Sequence, residues 1–101
     1  MRKQQIEERK SGLFGVVGDI SFDTVVDIEK EGFAVISGAG AEITLDLSHV
    51  QLCSSAAMAL LLSWVRHATT FEKKLIFVGV PTRLLAMIEG AQLQSLINVQ
   101  T

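Results

Sequence analysis

The chain has 101 residues, of which 49% are hydrophobic and 20% charged, so it fits one domain with enough apolar side chains for a packed core. Nine basic against eleven acidic residues give a formal charge of −2, which argues against a nucleic-acid-binding module. The single cysteine excludes an internal disulfide and suits a reducing, cytosolic setting. One cysteine and two histidines also argue against a structural zinc site. No apolar run reaches the length of about 20 residues that spans a bilayer.

The N-terminal segment predicts a hairpin. Residues 4–17 have the pattern of two short strands around a turn at Lys10-Ser11-Gly12, and Gly18-Asp19 is expected to break the second strand. Residues 1–10 form either the first strand or a loosely ordered tail, and they lack the apolar segment of a secretory signal.

A helix is predicted next. Ser21 or Asp23 is expected to cap it, because a short polar side chain at this position accepts a hydrogen bond from a helix amide. Phe33 to Ile36 fits either this helix or a strand, so the end of the element stays open. Gly38-Ala39-Gly40 closes it in both cases.

The middle of the chain predicts a strand and a long helix. Glu42 to Leu47 alternates apolar and polar residues strictly, as a strand with one buried face does. Ser54 and Ser55 stand just before a helical stretch from Ala56 to Ala68, where a serine can accept a hydrogen bond from the free amides.

The C-terminal part predicts a further strand and helix. Lys74 to Val78 is an apolar strand, and Pro81 is well placed to open a helix from Thr82 that Gly90 ends. Leu93 to Val99 forms a last short helix or turn. Strands alternating with helices predict a single α/β domain, a mixed sheet of about four strands covered by about three to four helices.

Motifs for catalysis or nucleotide binding are absent from the sequence. The glycine-rich segment Ser37 to Ala41 precedes a strand rather than a helix, so it does not present helix amides to a phosphate. Ser54 and Ser55 lack the sharp glycine-flanked turn of a nucleophilic serine, and neither His49 nor His67 has a recognisable catalytic setting. We therefore expect no enzyme activity, no cofactor and no metal.

The long helix carries the one functional signal that its pattern gives. On a helical wheel one side is expected to face the sheet: Met58, Leu61, Leu62 and Val65. The opposite side consists of Ala56, Ala59, Leu60, Ser63, Trp64 and His67. Because this side holds a leucine and a tryptophan one turn apart, we interpret it as a docking face for a partner. The alternative is that Trp64 packs against a neighbouring helix of the same domain.

Two segments around the predicted helix start resemble a known family. Asp46 to Val50 and Cys53 to Trp64 resemble the hallmark of STAS domains, a strand ending Asp-Leu-Ser and then Asp-Ser/Thr-x-Gly-Leu opening a helix. Within STAS the resemblance is to the MlaB-like subgroup, the small cytoplasmic subunit of the Mla phospholipid ABC transporter. Gly18 to Val25 and Phe77 to Leu84 look like two further blocks of that subgroup, so the resemblance runs from about Leu13 to Ile97.

The resemblance assigns roles to single positions. Ser55 matches the functional Ser/Thr of the family, and Ala56 falls where sporulation-type anti-sigma-factor antagonists carry a phosphorylated serine. Three positions depart from the pattern: Ser54 replaces an acidic residue, Ala57 a glycine and Met58 a leucine. Serine still suits a helix cap, but the missing carboxylate removes a charge that a partner could read.

The resemblance implies a non-enzymatic, cytoplasmic subunit that docks on the ATPase of a phospholipid-transporting ABC complex and supports its assembly and activity. The complex would help to keep the lipids of the outer membrane asymmetric. The subunit would meet the inner membrane only through that complex. The expected contact residues are Ser54, Ser55, Ala56, Ala59, Leu60, Ser63, Trp64 and His67. One alternative is a phospho-regulated partner switch of the anti-sigma-factor-antagonist type, with Ser55 as phosphoacceptor. A homodimer through the same face and a small-molecule-binding STAS domain are further alternatives.

Overall fold

A computed structural model describes residues 4–100, and for Leu52 the backbone alone. Within this range the five strands are β1 (Ile6–Lys10), β2 (Leu13–Ile20), β3 (Glu42–Cys53), β4 (Lys74–Val78) and β5 (Val99–Gln100). The three helices are α1 (Val25–Gly38), α2 (Ala56–Thr70) and α3 (Thr82–Gly90). The predicted α/β class and mixed sheet are confirmed, with one strand more than expected.

The order of the strands explains why one face of the sheet carries the helices. The strands lie side by side in chain order, β1 antiparallel to β2 and the other pairs parallel. Each helix therefore crosses over in the same direction along the sheet, and right-handed crossovers place all three helices on one face. The helix-facing row of the central strands pairs Phe14 with Leu45 and Leu45 with Phe77, and all three side chains are buried.

The predicted hairpin, the long helix, the β4 strand and the helix after Pro81 are confirmed. Phe33 to Ile36 lies within α1. The short helix or turn predicted over Leu93 to Val99 is confirmed as a turn, in which the Leu96 and Ile97 amides donate to the Leu93 carbonyl, and the short strand β5 follows it from Val99. Strand β3 runs beyond Leu47 to Cys53, because β2 continues beside it. Of the N-terminal strand or tail predicted over residues 1–10, residues 1–3 lie outside the described range.

The predicted strand break at Gly18-Asp19 is wrong, because β2 passes through an irregularity and reaches Ile20. Gly18 has a φ of 85°, a conformation that favours glycine. The Gln5 side-chain amide donates to the carbonyls of Val17 and Asp19, both at 3.0 Å. The Gln5 side chain thus provides hydrogen bonds to the backbone at the point where the strand pairing is irregular.

The predicted caps of α1 are also wrong. Thr24 occupies the N-cap position in place of Ser21 or Asp23. The Thr24 hydroxyl donates to the Asp19 carbonyl at 2.9 Å and accepts from the Ser21 amide at 3.0 Å. It therefore stabilises the turn that joins β2 to α1 rather than the first amides of the helix.

Trp64 fixes the packing of α2 against α1. Its side chain is fully buried, and its Nε1 donates to the Glu29 carbonyl of α1 at 3.2 Å. The indole ring lies against Gly32, where a Cβ would collide with it.

A second contact holds the C-terminal end of α1. There Lys73 Nζ donates to the carbonyls of Ile36 (2.6 Å), Ser37 (3.2 Å) and Ala39 (2.7 Å).

Gly32→Ala is expected to lower the free energy of unfolding by about 1–3 kcal/mol, because the added methyl overpacks the indole contact. Alanine has the higher helix propensity, so a purely local effect would have the opposite sign. The matched control is Gly38→Ala in the same helix, where a Cβ meets no atom within 4 Å. Urea unfolding measures both variants, and equal midpoints would contradict the tryptophan–glycine contact.

Candidate functional site

The structure corrects the predicted docking face of α2. Leu60 is 2% exposed and Trp64 is 0% exposed, so neither side chain is presented to a partner. The alternative, that Trp64 packs against a neighbouring helix, is the arrangement observed. A helical wheel gives the direction in which a side chain leaves its helix, but it does not show whether another element packs on that side. In this protein α1 packs on the side of α2 that holds Leu60 and Trp64.

The opposite side of α2 follows the prediction in part. Leu61 is fully buried in the core, whereas Met58, Leu62 and Val65 are half-buried at its margin. The apolar residues on two sides of α2 are therefore explained by two neighbours within the domain, the sheet and α1.

The exposed apolar surface near the start of α2 is supplied by α1 and the turn before it. Phe22 is 74% exposed and Val26, one turn later, is 57% exposed. Between the N-terminal halves of the two helices lies a groove of about 270 Å³, the α1–α2 groove, lined by Phe22, Val25, Val26, Glu29, Ala56, Ala59 and Leu60. The predicted surface is thus displaced from Leu60 and Trp64 toward Phe22 and Val26.

Two serines define the N-terminal end of α2. The Ser54 hydroxyl accepts from the Ala56 amide at 3.2 Å, and the Ser54 amide donates to the Ile20 carbonyl at 3.1 Å. Ser55 is exposed at the N-cap position, and its side chain makes no capping hydrogen bond. Ser54 therefore holds the helix start, while Ser55 faces outward one turn before the exposed Ala59.

The remaining predicted contact residues bond to α1. Ser63 Oγ donates to Glu29 Oε2 at 2.5 Å. His67 stacks on Phe33 with ring centroids 4.3 Å apart, and its Nε2 lies 3.1 Å from Ser37 Oγ. The structure therefore brings Ala56, Ala59 and Leu60 to the groove, leaves Ser55 exposed at the start of α2, and uses Ser63 and His67 along the helix–helix seam. Contact with a partner stays a prediction for all of them.

The Asp-Leu-Ser motif has a structural role on the sheet face opposite the helices. Asp46 accepts from the Ser48 amide at 2.9 Å and from Arg9 Nη1 at 2.5 Å, and Arg9 Nη2 lies 3.2 Å from His49 Nδ1. Burial raises the pKa of Asp46, but the hydrogen bonds from Ser48 and Arg9 outweigh it and hold that pKa below its ordinary value. A Cβ at Gly79 would approach Asp46 Oδ1 to 2.7 Å, so the motif packs closely on the loop after β4.

Sequence reasoning missed Phe22 and Val26. The two residues are four apart, the spacing of one helical turn, but the charged Lys30 ends this apolar run at the next turn, so the sequence carried only a short signal for them. In the described part of the chain no cluster of His, Cys, Asp or Glu has the arrangement of a metal site, and none of its helices is long and apolar enough to cross a membrane.

Comparisons with known proteins identify the fold and the family. A family model described as "Mlab, STAS domain" matches residues 6–98. Among solved structures, an anti-sigma factor antagonist from Mycobacterium paratuberculosis is 20% identical with a TM-score of 0.77, covering 93% of this chain and 80% of that one. Unphosphorylated SpoIIAA is 14% identical (TM-score 0.69; 96% and 86% covered), and phosphorylated Bacillus SpoIIAA is 16% identical (0.70; 96% and 90%). No curated protein matches the chain.

Leu60→Asp is expected to lower the free energy of unfolding by at least about 3 kcal/mol, because it places a carboxylate in the core. The matched control is Ala59→Asp, which makes the same charge change at the exposed neighbouring position and keeps its stability within about 1 kcal/mol. Chemical denaturation followed by tryptophan fluorescence measures both. Equal stability of the two variants would contradict the burial of Leu60.

Asp46→Asn is expected to destabilise the protein by about 1 kcal/mol at neutral pH, since the amide loses the charge-assisted bond from Arg9. The folded-state pKa of Asp46 is lowered, so its contribution is present above the unfolded value of 3.8 and is lost as pH falls through the folded value. The difference in free energy of unfolding between wild type and variant should therefore shrink below about pH 4. A difference that stays constant down to about pH 2 would contradict this role.

Proposed function

The chain belongs to the STAS domain family of the MlaB type, and on that premise we propose that it is a non-catalytic subunit of a phospholipid-transporting ABC complex. It docks on the cytoplasmic ATPase of that complex and supports its assembly and activity, which helps to keep the outer membrane asymmetric. It reaches the inner membrane only through the complex. The observation that carries this proposal is the exposed pair Phe22 and Val26, which lines the α1–α2 groove together with the exposed Ala59.

Exposure of this pair favours a binding role. Two large apolar side chains one turn apart, bordering a groove whose floor is Leu60, form a continuous apolar patch rather than scattered residues. Burying one such side chain in an interface contributes about 1.5–3 kcal/mol, so the pair can anchor a partner.

The surroundings of the patch suit it to rigid docking. The groove lies between helices that the Trp64 indole and the bond between Ser63 and Glu29 hold together, so its walls are fixed before a partner arrives. A preformed surface loses little conformational entropy on binding. Such a subunit acts by holding an ATPase surface in place, which requires no catalytic group of its own.

A second candidate is a partner switch of the anti-sigma-factor-antagonist type. The exposed hydroxyl of Ser55 at the start of α2 supports it, because a phosphate there would alter the docking surface without entering the core. Ala56, where the sporulation-type antagonists carry their serine, has no hydroxyl and is 7% exposed. Incubation with a cognate kinase and intact-mass measurement separate the candidates, since a protein that gains no phosphate is not such a switch.

The combined variant Phe22→Ser with Val26→Asp is expected to weaken binding to the ATPase encoded beside this protein by at least about 100-fold, because both apolar anchors are lost. Co-expression and size-exclusion chromatography, followed by titration and an ATPase assay, measure the loss. Wild-type protein is expected to co-elute with the ATPase and to raise its activity.

Leu96→Ser is the matched control, because Leu96 is 58% exposed and borders a different groove on the far side of α2. It should bind the ATPase as wild type does. Co-elution of the double variant at wild-type affinity would overturn this docking surface. Self-association of the wild-type protein, in place of co-elution with the ATPase, would favour a homodimer through the same patch.

A further inference from the structure

The charge around the α1–α2 groove is one-sided. Residues 22–29 and 54–63, which supply the groove and the start of α2, contain Asp23, Asp27 and Glu29 but no lysine, arginine or histidine. Their formal charge is −3, while that of the whole chain is −2, so the remainder of the chain carries +1. The two segments that supply the groove therefore carry three of the eleven acidic residues and no basic one, and the exposed Lys30 follows directly after the first of them.

A carboxylate follows each member of the apolar pair in the sequence. Asp23 is exposed directly after Phe22 in the turn before α1, and the half-buried Asp27 follows Val26 within α1. Within residues 4–100 the Asp23 carboxylate has no hydrogen-bond or ion-pair partner, and it precedes the cap of α1. Glu29 differs, because its carboxylate is bonded to Ser63 and closes the inner end of the groove.

The lining of the groove indicates what kind of group enters it. Apart from Glu29 the lining residues are apolar, and the buried Leu60 is among them. The volume of about 270 Å³ lies near the lower limit of the range of about 300–1,000 Å³ that small-molecule pockets span. The lining therefore favours an apolar side chain of a docking protein as the occupant.

We propose that the segment that docks in the α1–α2 groove carries an apolar anchor residue flanked by a lysine or arginine that lies against Asp23. This inference rests on the proposed docking function and adds the chemistry of the partner. Opposite charges at the rim raise the rate of encounter and select against acidic partners, while the buried anchor supplies most of the affinity.

The second apolar groove of the molecule differs in charge. It has a volume of about 580 Å³ and is lined by Leu62, Val65, Arg66, Thr69, Thr70, Leu93 and Leu96. Its lining holds a cation and no carboxylate, so a cationic segment is selected by the α1–α2 groove and repelled by this one. The charge pattern thus distinguishes the two apolar surfaces that flank α2.

The test measures the affinity of the purified ATPase subunit for wild-type protein from about 50 to about 500 mM NaCl, a range over which screening of exposed charges becomes strong. Wild-type affinity should fall by about tenfold or more. Asp23→Lys should weaken binding about tenfold at low salt and flatten the salt dependence, with Asp23→Asn intermediate. Urea unfolding of each variant should match wild type, since Asp23 is exposed.

Glu89→Lys makes the same charge change at an exposed position of α3, away from the groove, and should bind as wild type does. A complex whose affinity responds neither to salt nor to Asp23→Lys would overturn the cationic partner and leave the docking function standing. Equal effects of Asp23→Lys and Glu89→Lys would also overturn it, because only net charge would then matter. Absence of any complex across the salt range would overturn both the docking function and this inference.

Discussion

The contact between the Trp64 indole and Gly32 sets the distance between α1 and α2, and the candidate site depends on that distance. The indole fills the space that a side chain at position 32 would occupy, and its Nε1 bonds to the Glu29 carbonyl one turn earlier. Since the indole fixes how closely the helices approach in the middle, it also fixes how far apart their N-terminal halves lie. The α1–α2 groove is the gap that remains there.

Periodicity was sufficient to predict most of the elements. The strict alternation in Glu42 to Leu47 identified β3, and Pro81 with Gly90 marked the limits of α3. Gly18 misled the strand prediction, because its positive φ is accommodated inside β2 by the Gln5 side chain, a contact between segments far apart in sequence. The pattern of neighbouring residues indicates only which conformation a segment prefers by itself. It does not show that a side chain from another segment will hydrogen-bond to that segment.

The candidate site was predicted on α2 with Leu60 and Trp64 as exposed anchors, and both side chains are buried, while docking near the start of α2 stays a prediction. The helical wheel predicted that Leu60 and Trp64 are exposed, because the sequence of one helix does not show which element packs against it. In the structure α1 covers both side chains. Phe22 and Val26 were missed for the complementary reason, since their exposure follows only once α1 is docked. The resemblance to the family supplied the fold, which is confirmed, and the expectation of an ATPase partner, which stays a prediction. The physical pattern of the sequence indicated neither the identity of a partner nor which apolar side chains are exposed.

The bonds across the α1–α2 seam are distributed unevenly along its length. The bonds from Glu29 to Ser63 and from Ser37 to His67, and those from Lys73 to the last carbonyls of α1, all lie on the C-terminal side of the groove. The separation of Phe22 and Ala59 at the open end of the groove is therefore set by contacts that lie on the other side of it. A substitution along the seam can thus change the shape of the groove without altering any residue that lines it.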